Sequence, residues 1–237
     1  MKFFLDTCEG LLVGIVLTFA SYFVGQEFGW WDFAKAYTDS PLWLGVEVIG
    51  VVLNYACVYL VSRQKNANWP LGIVAVVFLG ALAYHGNLKA SMTLQWAYFI
   101  PAQFVGWYNW KFGGEGRTDL PVSRTLEPFE YIMMAIVGVV SWYIIVQVYN
   151  YFQSSYTTFD VGILMLSIIA QYLCNQKKPI SWVFWAAVNV ISVYVYYKSG
   201  FFLWAAQYAL FLCNVVYGYT LWYLDRQRKA EPIHYGR

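Results

Sequence analysis

Charge is scarce in this chain. Only 12% of its 237 residues are Asp, Glu, Lys or Arg, while 60% are hydrophobic and 21% aromatic. A soluble domain carries roughly twice that charged share, so composition places the chain in a lipid bilayer. The net charge is +2, and the basic residues cluster between apolar runs, which points to no nucleic-acid partner. Histidine is scarcer still: the chain has only His85 and His234, so a histidine-held metal is not expected. The four cysteines, Cys8, Cys57, Cys174 and Cys213, form no Cys-x-x-Cys and read as small apolar residues. No metal and no cofactor are expected. Gly-x-Ser-x-Gly and His-Glu-x-x-His are both missing and neither histidine lies mid-span, so an enzyme is not expected. The last span has no lysine for a retinal-type sensor. No Lys or Arg sits mid-span, so a bound phosphate would lack its usual partner.

What is present is a series of long apolar runs. They cover residues 10–25, 41–62, 70–86, 88–110, 128–152, 159–176, 180–198 and 201–224, which predicts eight spans. The run 41–62 reaches roughly 33 Å as a helix, enough to cross a bilayer. Thr18-Phe-Ala20 resembles a signal-peptidase site. Asp6 and Glu9 precede that apolar run, however, and the segment reads as a retained helix. Gly29-Trp30-Trp31 reads as an interfacial cluster, and Trp110 and Trp222 as interfacial belts. The polar stretch 111–127 divides the chain. With these spans, twelve Lys and Arg fall on one side and three, Lys35, Lys89 and Lys198, on the other. The basic side is cytoplasmic by the charge rule, so both termini are expected there.

The chain also repeats itself. At an offset of 112, Tyr84 meets Tyr196, and five of the sixteen residues from 95 to 110 are identical to their partners. These are Gln95 with Gln207, Ala97 with Ala209, Phe99 with Phe211, Gly106 with Gly218 and Trp110 with Trp222. Asn68-Trp69-Pro70 echoes Ser181-Trp182-Val183 one residue out of phase. Such duplication is a mark of secondary transporters. The expected fold is an all-α polytopic membrane protein of two parallel three-helix repeats. A linker helix inverts the chain between them and one extra helix precedes them. The expected divisions are 1–40 (extra helix and loop), 41–112 (first repeat), 113–158 (loop and linker helix), 159–225 (second repeat) and 226–237 (basic tail).

Neutral amides inside the spans are the chemistry-bearing residues. Asn189, Asn214 and Gln103 fall near the expected midplane, Asn54 near the middle of its span, and Gln95 and Gln207 nearer the outer face. Amides in lipid either join helices or meet a ligand. Three at one depth, on both repeats, describe a central site. Trp182, Trp185 and Asn189 share one helical face, and Trp185 is the deeper stacking platform. Gln95 and Gln207 are the same in both copies, which suits a structural role; Gln207 is also kept as a substrate contact. Glu47 is read as a vestibule residue in contact with water, with a proton or cation site as the other reading. Pro101 removes a backbone hydrogen bond mid-span and is the expected gating hinge.

Taken in order, Asn68-Trp69-Pro70-Leu71-Gly72, the Trp182-x-x-Trp185-x-x-x-Asn189 run, and the 207–222 span with Asn214 and Gly218 resemble the PnuC family of bacterial vitamin transporters. The resemblance covers about residues 41 to 224; the extra first helix departs from the usual seven. It implies a duplicated three-helix fold similar to the SWEET sugar transporters. It further implies uptake of nicotinamide riboside across the bacterial inner membrane by facilitated diffusion, serving NAD synthesis. A cytoplasmic riboside kinase would trap the cargo, and the protein would be a homo-oligomer, a trimer being one form. Another vitamin such as thiamine, or a non-transporting membrane receptor, is the alternative.

Overall fold

A computed structural model describes residues 1–27, 40–122 and 128–230. Trp30, Trp31, Lys35, Arg124 and Arg237 lie outside the described residues. Every long element is a helix: α1 Lys2–Glu27, α2 Pro41–Ser62, α3 Asn68–His85, α4 Lys89–Thr93, a π-helical turn Leu94–Phe99, α5 Ile100–Phe112, α6 Pro128–Tyr151, α7 Thr157–Asn175, α8 Ser181–Lys198 and α9 Phe202–Ala230. Helices follow because a bilayer leaves every backbone N–H and C=O to be satisfied within its own segment. Five helices among the described residues are long and apolar enough to cross a membrane: Lys2–Glu27, Pro41–Ser62, Asn68–His85, Tyr131–Tyr151 and Thr157–Asn175. The π-turn breaks the α4–α5 rod into shorter pieces. Polar and aromatic residues, including Trp182, Asn189, Tyr196 and Gln207, dilute α8 and α9.

Packing runs α2 on α3, α3 on the α4–α5 rod, that rod on α7, α7 on α8, α8 on α9, and α9 back on α2. The six rods therefore close a ring. Outside it, α1 packs on α2 and α9, and α6 packs on α7. Gly10 and Gly14 let α1 approach closely: a Cβ on Gly14 would lie 2.3 Å from the Val52 carbonyl oxygen. The free face of α6 is apolar and exposed at Ile132, Ile136, Val139, Val140 and Tyr143, as lipid contact requires.

Contacts between loops sort the two ends. Lys65 bonds Asp6 at 2.9 Å, Arg63 reaches Glu9 at 3.3 Å, Gln64 donates to Asp225, and the Lys177 ammonium donates to the Leu120 carbonyl. At the other end, Asn87 donates to the Gln153 carbonyl and Tyr156 to that of Lys198. The basic loops thus gather at one end of the bundle, here called the basic end.

The repeat is visible in the backbone. Gln64 and Lys177 are left-handed at φ 54° and 47°, and the following residues, Lys65 and Lys178, donate back to Leu60 and Leu173. Asn87 and Gly200 form a second matched pair, with Leu88 and Phe201 donating to Ala83 and Tyr196. These are matched helix-stop turns. They sit 113 residues apart, whereas Gln95 and Gln207 sit 112 apart. The first copy therefore holds one extra residue between 88 and 95. The π-turn Leu94–Phe99 absorbs it, because a π-turn is an α-turn carrying one added residue. The partner helix α9 runs unbroken through Gln207.

Two expectations are corrected. Trp110 and Trp222 are not belts: they are 1% and 0% exposed. They build a four-indole cluster with Trp69 and Trp182 at the basic end, with edge-on centroid distances of 5.0 to 5.8 Å. Trp110 donates to the Cys174 carbonyl and Trp222 to that of Val61, which removes the need for interfacial water. Glu47 is not in a wet vestibule: it is fully buried and accepts the Trp204 backbone N–H at 2.9 Å. The expected interruption of the fourth span at Pro101 is joined by a second one just before it, the π-turn Leu94–Phe99.

Candidate functional site

Inside the ring is a cavity of about 90 Å³. One water needs only about 10–15 Å³ by that measure, so this is a chamber and not a packing gap. Helices from both copies line it. From α2 come Asn54, Cys57, Val58 and Val61; from α3, Asn68, Trp69, Gly72, Val76 and Leu79. The α4–α5 rod supplies Gln95, Phe99 and Gln103, α8 supplies Trp182, Trp185 and Asn189, and α9 supplies Tyr208, Phe211, Asn214 and Val215. Gln171 and Cys174 complete it from α7. Among the described residues, no Asp, Glu, Lys, Arg or His lines it.

The wall holds an unusual number of unmet polar atoms. Ten buried side-chain N and O atoms among the described residues have no protein partner, and six belong to this lining. Three are donors: the indole N–H groups of Trp69 and Trp182 and the amide nitrogen of Asn214. Three are acceptors: the amide oxygens of Asn68, Gln95 and Gln103. A buried polar atom left without a partner costs about 1–3 kcal/mol. Concentrating them on one chamber is therefore costly unless something polar enters. Asn189 is 2% exposed and likewise makes no hydrogen bond to the described residues.

The expected site residues separate on inspection. Asn54, Gln103, Trp182, Trp185, Asn189 and Asn214 all reach the chamber; Gln207 does not line it. Gln207 is fully buried, donates to the Val51 carbonyl at 2.7 Å and accepts from Asn54 at 3.0 Å, so it joins α9 to α2. Asn54 is thereby shared between chamber and helix contact. Asn214 is also shared, because its oxygen accepts from Ser62 at 3.1 Å while its nitrogen stays unpartnered. Gln103 lies in the space left by Gly72, where a Cβ would sit 2.6 Å from its amide nitrogen. Gly72 is the repeat partner of Trp185, so the two halves of the chamber differ: one wall is an indole, the other a glycine with an amide laid over it. Trp185 tilts against Phe99 at 6.3 Å between centroids. Pro101 is exposed and lies two residues beyond Phe99, the last member of the π-turn.

Sequence reasoning missed Asn68, Trp69, Gln95 and Gln171 as lining residues. The echo of Asn68-Trp69 in Ser181-Trp182 was available as a signal for Trp69. Gln95 was hidden by its own twin, since the shared identity suggested a shared role.

The chain matches the family described as Nicotinamide mononucleotide transporter over residues 44–224. It is similar to the nicotinamide riboside transporter PnuC of Neisseria mucosa, with 25% identity over 73% of this chain and 70% of that protein. Similarity to the nicotinamide riboside transporter PnuC of Haemophilus influenzae is 26% over 79% and 82%. It is also similar to the riboflavin/roseoflavin transporter RibM of Streptomyces davaonensis, at 24% over 79% and 88%. Among solved structures, a crystal structure of the vitamin B3 transporter PnuC shares the fold, with a TM-score of 0.73, 20% identity, and coverage of 96% of this chain and 98% of that one.

Proposed function

Because the chain belongs to the nicotinamide mononucleotide transporter family, a family of membrane transporters and not of enzymes, we propose that it carries nicotinamide riboside by facilitated diffusion, for use in NAD synthesis. The single observation that supports this reading is the composition of the chamber wall. Its lining residues carry three unmet donors, three unmet acceptors and three indoles, with no ionisable acid or base among the described residues. Nicotinamide riboside has a flat ring, a carboxamide and ribose hydroxyls. It needs donors, acceptors and a stacking surface, and no phosphate partner. A mononucleotide would bring a phosphate into a wall without Lys or Arg, at a desolvation cost that nothing there offsets.

In this reading Asn189, Asn214 and Gln103 meet the polar groups of the cargo, with Asn54 beside them, and Trp185 stacks on its ring next to Trp182. Gln207 is a helix contact. The eight rods all cross the membrane as two parallel three-helix repeats, α2 to α5 and α7 to α9. The helix α6 inverts the chain between them, and α1 is an addition to the first repeat. The gathering of basic loops at one end supports both termini lying in the cytoplasm of a bacterial inner membrane. A cytoplasmic kinase then traps the cargo, and the protein assembles as a homo-oligomer. Purified protein in liposomes tests the cargo: riboside should enter and mononucleotide should not. Equal entry of both would end the reading. Riboflavin and thiamine belong in the same assay, since a similar relative is named for riboflavin.

A further inference from the structure

Gln95 and Gln207 are the same residue at the same place in two copies of one unit, yet they do different things. Gln207 stands on an unbroken α-helix and both ends of its amide are used: the nitrogen on the Val51 carbonyl, the oxygen on Asn54. Gln95 stands on the π-turn. It is 2% exposed, its oxygen has no protein partner, and it lines the chamber. The extra residue ahead of it turns the helix face by about 100°, since an α-helix turns once in 3.6 residues, and the π-turn takes up that rotation over the next few residues. The repeat partner of Asn54 is Ser167, a shorter side chain with no amide to give. The first copy has thus lost the bond that fixes Gln207 and has gained a turn that presents Gln95 to the chamber.

From this we propose that Gln95 is a specificity-determining contact, its amide oxygen accepting a hydrogen bond from an N–H or O–H of the transported solute, and that the one-residue insertion at the π-turn is what converts a structural glutamine into a cargo-reading one. This rests on the reading that the chamber is the transport site, but not on which vitamin is carried. A chamber acceptor of this kind discriminates by chemistry. A solute with a neutral donor at that point is held, and one with a carboxylate there meets oxygen with oxygen and is rejected. π-turns recur at functional sites because they break the ordinary spacing of a helix face, which is the use made of one here.

The test compares Gln95→Leu with Gln207→Leu in purified full-length protein. Each replacement keeps most of the side-chain volume and removes the hydrogen bonds. The parent is first titrated calorimetrically with nicotinamide riboside, thiamine and riboflavin, and the comparison uses whichever binds. Failure of the riboside reading and failure of this inference are then seen separately. Gln95→Leu should bind about tenfold more weakly with a melting temperature within the error of the parent. Gln207→Leu should instead melt earlier, because it breaks the α2–α9 contact. Nicotinic acid riboside, the carboxylate counterpart, should gain on the amide in the Gln95→Leu protein relative to the parent. Parent-like affinity in Gln95→Leu would overturn the proposal. So would a loss of melting temperature matching that of Gln207→Leu, since that marks a structural glutamine.

Discussion

Glu47 on α2 accepts the backbone N–H of Trp204, in the first turn of α9, at 2.9 Å. Its repeat counterpart Asp160 on α7 accepts the backbone N–H groups of Ala90 and Ser91, in the first turn of α4, at 3.0 and 3.1 Å, and the Ser91 hydroxyl as well. Each copy therefore supplies a fully buried acid to cap the third helix of the other. A helix N-terminus leaves N–H groups unbonded and carries partial positive charge, so a carboxylate satisfies both. Asp160→Ala should cost about 2–3 kcal/mol, because several bonds to one charged group are lost. Asp160→Asn should cost less, since it keeps an acceptor. Melting in detergent orders the three proteins. Equal melting of Asp160→Ala and the parent would refute the capping role.

Asn189 makes no hydrogen bond among the described residues, so Asn189→Leu should leave melting unchanged and weaken cargo binding by about 1–3 kcal/mol. Asn214→Leu should do both, because Asn214 also accepts from Ser62. Calorimetry beside thermal melting separates the two. Binding at parental strength in both variants would move the site elsewhere in the chamber.

Trp185→Leu should weaken binding with little change in stability, as Trp185 is only partly buried. Trp182→Leu should lower stability first, because Trp182 is 3% exposed and packed on Trp222. The reverse order of melting temperatures would mean that the two indoles have been assigned to the wrong tasks.

Gly106 and Gly218 are where the indoles of Trp69 and Trp182 rest. A Cβ would come within 2.2 Å of the first and 2.4 Å of the second. Alanine at either must push an indole or the helix aside, at about 1–3 kcal/mol for overpacking. Both indoles line the chamber, so each replacement should lower affinity along with melting temperature. A variant that melts early and binds normally would show the helix, not the indole, giving way.

Pro101 removes one helical hydrogen bond two residues after the π-turn. The two together interrupt the regular hydrogen bonding of this rod, and bending there would couple Gln95 and Gln103 to opening. Pro101→Ala should slow liposome uptake by more than it changes affinity. Undiminished flux in a folded variant would remove the hinge from this place.

Much of this protein is written in its sequence. Scarce charge with long apolar runs determines a helical membrane protein, since only closed backbone hydrogen bonding survives in lipid. The duplication, the neutral amides and the Trp182-x-x-Trp185-x-x-x-Asn189 face could all be read, because period and composition are local properties. The tertiary structure decided what depends on neighbours. Trp110 and Trp222 look like interfacial residues until carbonyls of Cys174 and Val61 meet their N–H groups. Glu47 looks wet until it is seen to cap α9. Gln95 and Gln207 are one letter in one register, and no local pattern tells them apart. Asn54 reaches Gln207, its repeat partner is the shorter Ser167, and a single inserted residue turns the helix beneath Gln95. Which amide joins helices and which faces the chamber is therefore a property of packing across the two copies, where residues 153 positions apart come into contact.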